Sequence, residues 1–459
     1  MKLHYVYCLV ATLFLSSVIA LSLYTPSQDP ISQAFLPTRA SIDQVHITLG
    51  QQPHSINIAW VLKLQADICY VSFGTYNLYS PDISKLSYQS DAGLAYLSYV
   101  YNLTAVNLEP GKAYKYQVVC YIESLPNVSE TYKFTGPKRP QSPVSFISLA
   151  DWSTGPNSDP FDNYTNHAKP NIYPFLYHDV RANSYDALVH AGDFAYDLSS
   201  FGGKMGDDYM RSIEPIIAQI PYMTTTGNHE SYTNFTHYRG IMKTPGPELY
   251  YSFDLGQVHF VMLDSEAYVG RFHTEGQLRR HQKWVEEDLR RNRLPWVVVV
   301  AHRPIYCSPN PTCKVCTNSC TKYCQTMAHH LEALMHQHQV ALYISADVHL
   351  YERTTPLYLN SSVQTGSTVY VNPPAPIYVV NGVAGNFDRD DSMTTLAEKP
   401  QPWSVKLSAS LGYGRVTVFN ETHLRWVQVA VGNTQNDDME WLVRQKVRVI
   451  DEFWVIRER

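Results

Sequence analysis

The sequence is short of charge and has no basic block. Asp, Glu, Lys and Arg make up 17% of its 459 residues, and the net charge of −5 is spread along the chain. Such a balance offers no electrostatic footprint for nucleic acid, so none is expected as a structural partner. Beyond the first two dozen residues no apolar run is long enough to cross a bilayer, which takes about 20 residues. Cysteine is scarce, with eight in all. Cys8 lies in the N-terminal apolar run. The others are Cys69 and Cys120, then Cys307, Cys313, Cys316, Cys320 and Cys324. That odd remainder leaves at least one thiol unpaired, or pairs it between chains. What is plentiful is apolar residues, at 44%, a composition that suits a folded globular protein. The length exceeds the roughly 250–300 residues that one hydrophobic core sustains, so two domains and a processed terminus are expected.

Lys2 is followed by a nearly unbroken apolar stretch from Val6 to Leu21, with small residues at Ser16, Ser17, Ala20 and Ser22. This pattern predicts a signal peptide over residues 1–21, too short for a retained anchor. The expected destination is secreted or extracellular, or a lysosome- or vacuole-like compartment. Asn102, Asn127, Asn163, Asn234, Asn360 and Asn420 each open an N-x-[ST] sequon, as a secreted glycoprotein would need. Cys313-x-x-Cys316 and Cys320-x-x-x-Cys324 have zinc-knuckle spacing. In a secreted chain they are expected instead to tie a loop by disulfides. The loop follows His302 directly, where it is placed to wall a site.

From about residue 40 to 135 short runs rich in Val, Ile, Tyr and Phe alternate with turns, among them VHITL, INIAWVL, ICYVSFG and YKYQVVCYI. They predict an all-β sandwich of fibronectin or immunoglobulin type over residues 22–140. The breaker-rich TGPKRPQSPV at 135–144 reads as a linker. Residues 141–459 read as an α/β domain. Here apolar runs end in loops of reactive side chains: VSFISLA at Asp151, YDALVHAGD at Asp193, IPYMTTTGNHE at Asn228 and His229, PWVVVVAH at His302, and VALYISADVH at Asp347 and His349. Polar groups at strand C-termini are where α/β sheets place their sites. GQLRRHQKWVEEDLRRN and AHHLEALMHQHQ have helical texture, and the C-terminal part returns to alternating strands.

Asp151 and Asp193 are hard oxygen donors, His302 and His349 borderline imidazoles, and Asn228 a neutral amide oxygen. Such a mixed set suits a dinuclear iron, zinc or manganese site and suits a zinc finger or EF-hand poorly. Singly, an Asp at a strand end is more often a helix cap, and a lone His more often a core residue. Five in order, each closing an apolar run, is a far more specific signal.

In these blocks the chain resembles the purple acid phosphatases within the metallophosphoesterases. That family carries DxG, GDxxY, GNH[DE], VxxH and GHxH. Here they stand as Asp151-Trp152-Ser153, Gly192-Asp193-Phe194-Ala195-Tyr196, Gly227-Asn228-His229-Glu230, Val299-Val300-Ala301-His302 and Ala346-Asp347-Val348-His349. The flanks HRPIYCS and YERT agree, and the likeness runs from about residue 40 to the C-terminus. It resembles the long secreted forms, with a fibronectin-like domain before the catalytic one, and the resemblance implies for the catalytic domain a metallophosphoesterase-type β-sandwich flanked by helices. The resemblance implies an acid phosphatase acting on small phosphorylated substrates, with Fe(III) and a divalent zinc, manganese or iron ion as cofactors. Asp151, Tyr196 and His349 would hold the ferric ion, Asn228 and His302 the divalent one, and Asp193 would bridge. His229 would be a catalytic charge stabiliser or proton donor over the phosphate. A metal-bound hydroxide would attack phosphorus, and protonation of the leaving group would favour mildly acidic conditions. A homodimer is left open.

Two positions depart from the family pattern. Ser153 replaces a glycine, at a cost of about 1 kcal/mol if the loop needs a positive φ there. Asp347 replaces the first histidine of the last block. It is expected to ligate through oxygen, adding negative charge, lowering the Lewis acidity of the divalent ion and moving preference from zinc toward manganese or ferrous iron. The alternative is that it points away and the divalent site is weak or empty. His329, His330, His336 and His338 read as a solvated helix face, His190 as core or support, Glu230 as a structural hydrogen-bonder, and His237 and Tyr238 as residues within reach of substrate. Two other functions compete: a phosphodiesterase or nucleotide pyrophosphatase on the same metals, and a metal-impaired pseudoenzyme with a binding role.

Overall fold

The computed structural model describes residues 41–89, 93–153, 172–182, 184–246, 249–270, 273–308, 323–385, 400–432 and 447–458. The N-terminal leader, the sequon at Asn163 and Cys313, Cys316 and Cys320 lie outside these residues. Among the described residues no helix is long and apolar enough to cross a membrane.

Alternating apolar runs build two antiparallel sheets first. One orders Asp43–Leu49, Ile56–Leu62, Ala95–Ala105 and Asp82–Gln89. The other orders Asn77–Tyr79, Ile68–Ser72, Ala113–Ile122 and Leu125–Val128, with Tyr132–Thr135 also on the Ala113–Ile122 strand. Cys69 and Cys120 face each other across neighbouring strands and form a disulfide. Fully buried Trp60 stacks on Tyr101 at 5.8 Å and donates its indole N–H toward Cys120 Sγ, 3.3 Å away, joining the two sheets.

Two larger sheets follow. A seven-stranded sheet runs Tyr222–Thr224, Ala187–His190, Val144–Leu149, Gly412–Val418, His423–Val431, Val447–Ile456 and Val369–Val371. The second contains the parallel run Val258–Met262, Trp296–Val300, Leu342–Ser345 and Ile377–Asn381. Every residue of Trp296–Val300 is buried, as a β-branched run in the middle of a parallel sheet must be. The sheets meet through Phe146 against Phe260 at 5.0 Å and through Asn381, whose amide donates to the Ser148 carbonyl at 2.9 Å.

Helices cover the outside. Thr274 caps Glu275–Arg291 and exchanges hydrogen bonds with Gln277, and His281, Val285 and Leu289 line its buried face at four-residue spacing. Lys204–Ile217 packs against the N-terminal strands. Its Asp207 accepts from Gln44 and Tyr96, each at 2.7 Å, and pairs with Lys63, while the Tyr116 hydroxyl donates to the Ala218 carbonyl at 2.7 Å. Both sheet pairs therefore belong to one compact unit, Ile42–Arg459.

Candidate metal centre

Parallel strands aim their C-terminal ends the same way, and five of them deliver polar side chains to one place. Val144–Leu149 leads to Asp151, Ala187–His190 to Asp193 and Tyr196, and Tyr222–Thr224 to Asn228 and His229. Trp296–Val300 leads to His302, and Leu342–Ser345 to Asp347 and His349. Pairing continues past the strand ends: Asp151 N–H donates to the Gly192 carbonyl at 3.2 Å, and Trp152 N–H to that of Asp193 at 3.1 Å.

The turns are sharp. Asp151, Asp193, Tyr196 and Asp347 all hold positive φ, at 56°, 58°, 55° and 68°. Left-handed backbone at a non-glycine residue costs about 1–3 kcal/mol and gathers at functional sites. Ser153 is absent from that set, so its replacement of glycine carries no φ penalty. Close approach does require glycine elsewhere. A Cβ on Gly227 would stand 2.2 Å from Asp193 Oδ1, and one on Gly382 would stand 2.4 Å from Asp151 Oδ2.

Two groups of donor atoms result. In the first, Tyr196 Oη lies 2.8 Å from His349 Nε2 and 3.2 Å from Asp151 Oδ1, and His349 Nε2 lies 3.6 Å from Asp151 Oδ1. In the second, His302 Nε2 lies 3.2 Å from Asp193 Oδ2, 3.3 Å from Asn228 Oδ1 and 3.6 Å from Asp347 Oδ1. Asp151, Asp193 and His302 each offer a donor atom within 4.8 Å of the other two, which joins the groups. Ligands about 2.0–2.2 Å from one ion stand about 3 Å apart, so the spacings among Tyr196, His349 and Asp151, and among His302, Asp193 and Asn228, are those of coordination edges. His302 Nδ1 lies 2.8 Å from the Ala191 carbonyl, which turns Nε2 inward as a ligating imidazole requires.

The electrostatics record the same gathering of charge. Burial would raise the Asp193 pKa, but His302 and His229 beside it hold the carboxyl well below the usual range. Burial would lower that of His302, and Asp193 and Asp347 raise it. His229 stands apart from the donors. Its Nδ1 is 2.8 Å from Asp197 Oδ1 and its Nε2 3.8 Å from Asp193 Oδ2. Burial works against its charge, yet Asp193 and Asp197 hold its pKa up at about 9. With 23% of its side chain exposed, against 0% for His302, it is the cationic group on the open side.

This arrangement of blocks on this fold decides the comparison with known proteins. Residues 42–136 match the family model "Purple acid Phosphatase, N-terminal domain", residues 157–351 "Calcineurin-like phosphoesterase" and residues 375–439 "Iron/zinc purple acid phosphatase-like protein C". The chain belongs to the purple acid phosphatase family. It is 32% identical over 437 residues to human (Homo sapiens) acid phosphatase type 7, covering 91% of each chain. To the mouse (Mus musculus) protein of that name it is 31% identical, covering 90% of this chain and 91% of that one. It is 27% identical to the probable purple acid phosphatase 20 of Arabidopsis thaliana, over 84% of this chain and 83% of that one. The fold is that of the yellow lupin (Lupinus luteus) seed purple acid phosphatase, with a TM-score of 0.73 at 19% identity over 91% of this chain and 75% of that one. As a purple acid phosphatase the chain is a phosphatase enzyme, and its family implies a dinuclear metal centre.

Asp151, Asp193, Tyr196, Asn228, His229, His302, Asp347 and His349 lie together in this structure, but Asp347 arrives with a partner. Both its oxygens accept from Arg303 Nη1, at 2.9 and 3.0 Å. Arg303 Nη2 donates to Asn228 Oδ1 at 3.0 Å, and its Nε to Glu266 Oε1 at 2.7 Å. Arg303, Glu266 and Asp197 were not legible as site residues. Arg303 stands beside His302 in the HRP flank, which is a signal; Glu266, inside LDSEAY, has none.

Glu230 is structural: it accepts the backbone N–H groups of Asp193, Phe194 and Gly227 at 2.9, 2.8 and 2.7 Å. His190 is buried and contacts the Tyr222 hydroxyl at 2.7 Å. His237 and Tyr238, read as substrate contacts, are instead buried. His237 packs against Tyr88 and Tyr96 of the N-terminal sheet, and the Tyr238 hydroxyl lies 2.9 Å from that of Thr224. His329 is exposed and His330, His336 and His338 half-buried on their helical stretch. Cys307 is disulfide-bonded, and Cys324 is buried.

Proposed function

We propose that this enzyme hydrolyses phosphate monoesters in a secretory compartment, with Asp151, Tyr196 and His349 around one cation, Asn228 and His302 facing a second, and Asp193 between them. The observation that carries the reading is the 2.8–3.6 Å clustering of the Asp151, Tyr196 and His349 donor atoms, buried behind a more exposed His229. A carboxylate, a phenol and an imidazole at these spacings suit ferric iron, and a phenolate is a hard anionic donor for it. The bound metals would supply Lewis-acid charge to the phosphoryl oxygens and an acidified water as nucleophile.

The remaining work falls to the chain. Asp197 orients the His229 ring through Nδ1, leaving Nε2 for substrate. The imidazolium stabilises charge on the phosphoryl group and gives its proton to the leaving oxygen. Glu230 fixes the Asp193 and Gly227 turns, and so the distance between the two donor groups.

Residues 1–21 as a cleaved leader, 22–140 as the fibronectin-like domain and 141–459 as the catalytic domain complete the proposal. The Cys69–Cys120 disulfide supports an oxidising destination. Exposed Asn234, Asn360 and Asn420 are open to glycosylation, and Asn102 and Asn127 are half-buried.

The test compares hydrolysis of p-nitrophenyl phosphate with that of its bis ester. The expected result is faster monoester hydrolysis, lost on chelation and restored by iron with zinc or manganese. Faster hydrolysis of the bis ester would instead make the enzyme a phosphodiesterase.

A further inference from the structure

The two donor groups are not equivalent. Around Tyr196 the three side chains contact one another, and Asp193 is the next carboxylate along. Around His302 the fourth donor is Asp347, and both of its oxygens are engaged by Arg303. The same guanidinium donates to Asn228 Oδ1.

Arg303 is itself immobilised. Its Nε and Nη2 bind Glu266 at 2.7 and 3.2 Å, and the side chain lies against the Tyr323 ring at 5.5 Å. Arg303 is 8% exposed, Asp347 4% and Glu266 0%. The desolvated Asp347 carboxylate therefore already has a counter-ion: both of its oxygens accept from the single nitrogen Nη1, while the two-nitrogen fork of Nε and Nη2 holds Glu266. The second position is thus left with the Asp193 carboxylate, the His302 imidazole and an amide oxygen shared with a fixed cation. Three protein donors can hold a catalytic divalent ion, but here Asp193 is the one anionic donor and is shared with the first group, and the Asn228 amide is shared with a cation, which weakens the position.

We infer that Asp347 is the buried counter-ion of Arg303 rather than a metal ligand, and that the centre therefore retains one transition-metal ion per chain, the second being exchangeable. Arg303 is a positioning residue: it sets the Asn228 amide and places a permanent positive charge beside the weak position. This inference rests on the proposed metal centre.

The experiment is metal analysis of the full chain, loaded with iron and then with zinc or manganese, and dialysed against metal-free buffer. Wild type is expected to keep about one equivalent, as iron. Asp347→His, which frees the guanidinium from its carboxylate and offers an imidazole, is expected to keep about two. Its thermal melt, read beside that of wild type, reports folding. Two equivalents retained by wild type would overturn the inference and leave the metal centre standing. An Asp347→His protein that melts like wild type and still keeps one would equally overturn it. No metal retained by wild type would overturn both. The wild-type arm decides the matter even if the variant fails to fold.

Discussion

The Oε2 atom of Glu230 accepts the backbone N–H of Asp193 at 2.9 Å, from a carboxylate with no access to solvent worth the name, 3% for the whole residue. Its two oxygens also hold Phe194 and Gly227, so one side chain ties the Asp193 turn to the Asn228 turn. Burial, with Asp193 nearby, pushes its pKa up to about 8.

Glu230→Ala leaves three buried N–H groups without acceptors, each worth about 1–3 kcal/mol. The expected outcome is a large fall in the denaturation midpoint together with loss of retained metal. Glu230→Gln keeps one acceptor oxygen and is expected to fall between the two. Chemical denaturation with metal analysis checks both.

Arg303 predicts an asymmetry of its own. Arg303→Met strands Asp347 and Glu266 in the interior, and breaking a buried pair costs about 3–5 kcal/mol. In an Asp347→Asn, Glu266→Gln background the same substitution is expected to cost much less. A double-mutant comparison by urea unfolding reads the difference.

His259 predicts a pH dependence remote from the centre. Its ring lies 2.7 Å from Asp254 Oδ1 and 2.8 Å from Asp288 Oδ2. Burial opposes its charge, but the two carboxylates raise its pKa from 6.5 to about 9. The folded state therefore binds the proton more tightly than the unfolded state. The stabilisation is full below pH 6.5 and fades as pH rises through about 9. It is worth up to about 3 kcal/mol before solvent screening at exposed Asp254. His259→Gln is expected to flatten the stability profile across that window, read as melting temperature against pH.

Much of this was legible in the chain itself. Runs such as Trp296–Val300 are buried throughout, so pattern and burial coincide, and the reactive residue closing each run marks a strand end. Asp82–Gln89 was missed as a strand because it is an edge strand with mostly exposed side chains, where no apolar alternation is enforced. The Arg303–Glu266–Asp347 cluster was missed because its members lie 37 and 44 positions apart and meet only when separate strands align. His237 misled because its helix, Thr236–Ile241, is covered by Tyr88 and Tyr96, which lie about 140–150 positions earlier in the chain.

The claim on which the account stands is that Tyr196 joins Asp151 and His349 in holding iron. The most direct test is the visible absorption spectrum of the iron-loaded protein beside that of Tyr196→Phe, with iron content measured on the same samples. The account predicts a phenolate-to-iron charge-transfer band in wild type that Tyr196→Phe lacks. A wild-type protein that holds iron and shows no such band, or a Tyr196→Phe protein that keeps it, would contradict the account.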